Sequence, residues 1–151
     1  DGKCHGFKAV VQTLHHPNTI AIRNIGLPEF PFSASVSRNI SICAKWFSDK
    51  SPTQIQGQAL HTYCFSSQIG EIHFFLATNG NPLNGRIELL QGPNTNKQVI
   101  EFYSENGIER PIFCSLPTSG IESVVRLVNT GPLEFPLLVT CAASKKCAHS
   151  Q

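Results

Sequence analysis

The chain has 151 residues, with twelve Lys and Arg against ten Asp and Glu for a formal net charge of +2. That length suits one domain burying roughly 70% of its unfolded surface, and the absence of any basic run argues against nucleic acid as the main partner. No stretch approaches the roughly 18 consecutive apolar residues of a membrane span.

The chain contains no Met and opens on Asp1, which predicts a processed mature product with any targeting peptide already removed. Phe7 to Gln12 is a short β-prone run, broken by His15, His16 and Pro17. Thr19 to Asn24 then alternates, with Ile20 and Ile22 on one face and Ala21 and Arg23 on the other. The Gly26-Leu27-Pro28 turn reverses the chain and Phe30 to Val36 returns, which predicts a hairpin. Asn39 to Phe47 continues in phase through Ile40, Ile42, Ala44 and Trp46.

Gln54 to Phe65 begins with Gln54, Gln56 and Gln58 and ends with Tyr63 and Phe65, the composition of an edge or solvent-facing strand. Glu71 to Ala77 sets Ile72, Phe74 and Leu76 against Glu71, His73 and Phe75. Residues 78–85 hold two Asn-Gly steps and a Pro, and mark the expected boundary between two halves. Further strands are expected at Arg86 to Gln91, Gln98 to Ser104, Pro111 to Leu116, Ser123 to Asn129 and Glu134 to Ala142. Asn106-Gly107 is the strongest short hairpin signal, since a type I′ turn needs two positive φ angles.

Short strands at roughly 8–12-residue intervals predict an all-β fold, an antiparallel sandwich or jelly roll. Residues 1–143 form the expected single domain, with 1–78 the first half, 84–143 a second repeat unit and 144–151 a polar tail.

One stretch is written twice. Asn24, Gly26, Glu29, Phe30 and Pro31 recur 105 residues later as Asn129, Gly131, Glu134, Phe135 and Pro136. The flanks keep their apolar phase: Ile20 and Ile22 align with Val125 and Leu127, while Phe32, Ala34 and Val36 align with Leu137, Val139 and Cys141. This is the signature of an internal repeat. The corner has an architectural role: Gly for a backbone angle other residues resist, Asn to hydrogen-bond its own turn, Phe for the core, and Pro to keep its strand at an edge or bulge.

Cys4, Cys43, Cys64, Cys114, Cys141 and Cys147 are an even set, each a candidate for a disulfide in an oxidising compartment and each equally readable as a small buried side chain. Cys4 and Cys147 stand where a bridge would tether the two ends. Asn39-Ile40-Ser41 is a glycosylation sequon, relevant only to a secreted protein.

Chemistry is scarce. Only Asp1 and Asp49 are Asp, and neither a nucleophile elbow nor a phosphate loop occurs. Glu101, Glu105 and Glu109 would align on a helix but diverge on a strand, turn and strand. His61 and His73 stand in adjacent predicted strands and could face each other. His5, His15, His16 and His149 complete the histidines, and no spacing supports zinc. No catalytic residue, metal site or cofactor is expected.

Residues 84–141 resemble a repeat of plastid proteins from diatoms and related algae. The carriers are 84–94 (NGRIELLQGPN), 97–101 (KQVIE), 103–107 (YSENG), 109–111 (ERP) and 125–136, while residues 7–36 resemble the last third of the same repeat. The family includes proteins that assemble into the sheet-like shell around the diatom pyrenoid, the Rubisco-filled compartment of the plastid. The resemblance implies a non-enzymatic, self-associating β-sandwich in the stroma or pyrenoid. The chain carries one unit and a third rather than two, and its cysteines also fit a thylakoid-lumen, photosystem-associated subunit. A different class of function is a secreted, disulfide-stabilised module binding glycan or another ligand. The expected partners are proteins, copies of the chain included.

Overall fold

A computed structural model describes residues 6–13, 17–37, 47, 49–92 and 96–146. Cys4, Cys43, Cys147, Trp46, His5, His15, His16, His149 and the Asn39 sequon lie outside the described residues. Nine strands are described: β1 Lys8–Val10, β2 Thr53–Ile55, β3 Leu60–Phe65, β4 Ile69–Ala77, β5 Leu83–Gln91, β6 Asn96–Ser104, β7 Ile112–Pro117, β8 Ser123–Asn129 and β9 Leu137–Lys145. No helix occurs among the described residues.

The strands form two antiparallel sheets, one ordered β1-β7-β4-β9-β2 and the other β3-β8-β5-β6. The period-two pattern sets the faces. In β5, Leu83, Gly85, Ile87, Leu89 and Gln91 are buried while the residues between them are half-buried, and β8 buries Ser123, Val125, Leu127 and Asn129 in the same way. These meet Ile72, Phe74 and Leu76 of β4, Cys114 and Leu116 of β7, and Leu137 and Val139 of β9 in one core. β4 lies between β7 and β9 and is covered on its other face too, where Phe47 packs on Phe75 and Phe113.

Residues 78–82 carry the chain from one sheet to the other, and every strand before that stretch (β1 to β4) pairs only with strands after it. The first half therefore forms no body of its own. The Gln-rich run divides into β2 and β3, one at the edge of each sheet, on either side of the turn at Gln56–Ala59. Ser144 and Lys145, expected in the tail, belong to β9.

Several sequence expectations are corrected. Asn106-Gly107 makes no type I′ turn: among the described residues positive φ occurs only at Gln58, Gly80, Gly92, Ser119 and Gly120. β6 and β7 lie in different sheets, so the connection must cross the sandwich, and the Asn106 side chain instead accepts from the Ile108 and Glu109 amides. His61 and His73 do not meet, because β3 and β4 lie in opposite sheets.

Of the six candidate cysteines, Cys64, Cys114 and Cys141 are free. Geometry explains it. Cys114 and Cys141 both pair with Phe74, from opposite sides of β4, so two strand spacings, roughly 10 Å, separate their backbones where a disulfide tolerates about 7 Å. Cys64 is exposed on the other sheet. Burial pushes both the Cys114 and Cys141 thiols up to about 12, which leaves them protonated and unreactive.

The predicted hairpin at Thr19–Asn24 and Phe30–Val36 is also absent as strands. Residues 17–37 turn at Pro28-Glu29 but pair with no sheet and are exposed along their whole length.

Candidate assembly surface

The second corner is a buried joint. Asn129, 2% exposed, sits at the end of β8, where the alternation turns its side chain inward. Its Nδ2 donates to the carbonyls of Phe135 at 2.9 Å and Ile55 at 3.0 Å, and its Oδ1 accepts from the Gly131 amide at 2.9 Å. The Phe135 amide closes the turn on the Pro132 carbonyl at 3.0 Å. One amide side chain thus holds three backbone groups, two of its own turn and one from β2.

The turn between β2 and β3 is the seat for this corner. Gln58 donates its backbone amide to the Asn129 carbonyl at 2.8 Å and its Nε2 to the carbonyls of Gly131 at 2.7 Å and Thr130 at 3.2 Å. It does so at φ 67°, a left-handed conformation that a non-glycine residue adopts only when its surroundings hold it there. A Cβ on Gly57 would overlap the Pro132 carbonyl, so the two backbones touch directly. Sequence reasoning missed this seat. A glycine inside a strand-like run was the available signal, since it often marks a close backbone approach.

The first corner repeats the local bonds of the second without the seat. Asn24 Nδ2 donates to the Phe30 carbonyl at 2.9 Å, and Asn24 Oδ1 accepts from the Gly26 amide at 2.8 Å. The Phe30 amide closes on the Leu27 carbonyl at 2.9 Å. Neither Gly26 nor Gly131 has positive φ. The reason for glycine is space: a Cβ at either position would stand 3.1 Å from the Asn Oδ1 two residues earlier. Glu29 is exposed at the first corner and Glu134 at the second; Pro31 is exposed, whereas Pro136 is half-buried just before β9.

The flanks differ as sharply as the corners agree. Val125, Leu127 and Leu137 are 0, 0 and 1% exposed, while their counterparts Ile20, Ile22 and Phe32 are 49, 53 and 53% exposed. Ile25, Leu27, Phe30 and Val36 add to this open apolar surface. Residues 17–37 have the lettering of a packed hairpin and no sheet to pack on.

The sandwich is open at one side. A groove of about 510 Å³ runs between β1, at the edge of one sheet, and β6, at the edge of the other, lined by Phe7, Val11, Ile100, Phe102 and Ile112 among others. The outward face of the β3-β8-β5-β6 sheet carries a charge ladder. Glu88 lies 2.9 Å from both Arg86 Nε and Arg126 Nε. Exposed Leu60, Val99 and Tyr103 lie on the outer strands of the same sheet.

His73 is buried on the other sheet, with Nδ1 2.7 Å from Ser115 Oγ and Nε2 3.3 Å from Ser144 Oγ. Burial lowers its pKa below the ordinary value, which keeps the ring neutral at physiological pH. Among the described residues no group of three or more His, Cys, Asp or Glu lies close enough to hold a metal ion. No helix of the described residues is long and apolar enough to cross a membrane.

No curated protein matches the chain. The family model for the diatom pyrenoid shell protein matches residues 1–143, arm and sandwich together, and the chain belongs to that family.

Proposed function

We propose that this protein is a structural subunit of the diatom pyrenoid shell, acting in the plastid through protein–protein contacts and carrying out no chemistry. Family membership supports the shell and the pyrenoid. The observation that carries the contact mechanism is the arm at residues 17–37, whose apolar residues lie open along its length. Contiguous exposed apolar surface of this kind marks an interaction site. The photosystem-associated and secreted-module alternatives gain nothing from the family match, and free Cys64, Cys114 and Cys141 remove half of the cysteines that suggested them.

Sedimentation and negative-stain microscopy of the purified chain over a range of concentrations test this. Large regular assemblies are expected as concentration rises. A monodisperse monomer up to high concentration would contradict the reading.

A further inference from the structure

We infer that residues 17–37 are a spare copy of the hairpin β8–corner–β9, and that they complete a second sandwich by entering a β2–β6 scaffold that lacks its own hairpin. The inference deepens the shell reading by naming the connecting segment and its partner, and it rests on that reading only for its use.

Three observations carry it. Both corners make the same three local hydrogen bonds at equivalent residues. The apolar positions of one hairpin are sealed in the core and those of the other lie open. The third is the pairing of β1 with β7. Lys8 pairs with Ser115, Ala9 with Cys114 and Val10 with Phe113. Under the 105-residue offset, Lys8, Ala9 and Val10 are the counterparts of Phe113, Cys114 and Ser115. The register is therefore the one that a local two-fold axis through Ala9 and Cys114 generates. A self-complementary contact of this kind joins two equal bodies. β1 stands as the β7 of the second body, and the arm that follows stands as its β8 and β9.

The partner follows from what the resident hairpin already binds. Asn129 reaches the Ile55 carbonyl, Gln58 grips Thr130 and Gly131, and Leu127 lies between His61 and Ile87. A surface made for this lettering is a scaffold of the β2–β6 type. Residues 1–151 hold two hairpin strings and one such scaffold, so exchange among copies of this stretch alone buries nothing extra. The partner is a protein unit of this same repeat with its hairpin place open.

The test vacates that place in the full chain. Leu127→Asp prevents β8 from entering the core, and the arm is expected to take over, from the same or another copy. The variant then keeps its β-sheet circular dichroism and a cooperative thermal transition. Adding Ile22→Asp, at the counterpart position, is expected to abolish both, while Ile22→Asp alone changes neither.

A cysteine pair reads the register independently. Thr62 pairs with Arg126, whose counterpart is Ala21. With Cys4, Cys43, Cys64 and Cys147 replaced by serine, Ala21→Cys and Thr62→Cys should form a disulfide in the Leu127→Asp background and none without it. An unfolded Leu127→Asp chain, a fold indifferent to Ile22, or no disulfide would each overturn the inference. A chain that assembles yet fails this rescue overturns only the hairpin assignment. One that passes and never assembles overturns the shell reading alone.

Discussion

Asn129→Ala is expected to lower stability by about 3–4 kcal/mol, while Asn24→Ala costs under about 1 kcal/mol. The two residues head the same Asn-x-Gly-x-x-Glu-Phe-Pro string and make the same two bonds within their turns. They differ in burial and in the bond to Ile55. Removing the buried amide strands the Ile55 and Phe135 carbonyls and the Gly131 amide away from water, and each unpaired group costs roughly 1–3 kcal/mol. At Asn24 water replaces what the side chain gave. Chemical denaturation of the two variants beside the unmodified chain measures the contrast. Equal losses would mean that the first corner is buried as well, and in the isolated chain would contradict its exposure.

Gly57→Ala is the second large effect, at least about 3 kcal/mol. The added Cβ meets the Pro132 carbonyl and stands 2.7 Å from the Leu133 Cα, both backbone atoms that no rotamer change can move. Either the β2–β3 turn lifts away or the corner does. Lifting also breaks the Gln58 bonds that hold its left-handed backbone in place. Gly6→Ala, with open space around it, is the control and should leave stability within about 0.5 kcal/mol. A Gly57→Ala chain as stable as the control would show that the corner does not sit on this turn.

The parts of the fold legible in the sequence were those where local pattern and packing agree. β8 is found at Ser123–Asn129, the residues the alternation marked, and β4, β5, β6, β7 and β9 lie within a few residues of their predicted runs. The runs at Thr19–Asn24 and Phe30–Val36 show the limit of the method. Their alternation is as good as that of β8, but a strand also needs a neighbouring edge, and the scaffold in this chain is already filled by β8 and β9. Pattern states what a segment can pair with, and topology decides whether the place is free.

Asn106-Gly107 fails for a related reason, because a turn signal cannot tell whether two strands share a sheet. The cysteines carry no pairing information of their own, and the position of β4 between β7 and β9 excludes the bridge that Cys114 and Cys141 would otherwise offer. The corner was visible as a repeated string. Its seat at Gly57 and Gln58 was not, since the contact joins residues more than seventy positions apart.

Immunogold labelling of the protein in diatom cells tests the central claim most directly. A shell subunit should decorate a rim around the Rubisco-filled pyrenoid and leave its interior clear. Label spread through the stroma, or confined to the thylakoid lumen, would contradict a structural role in the shell.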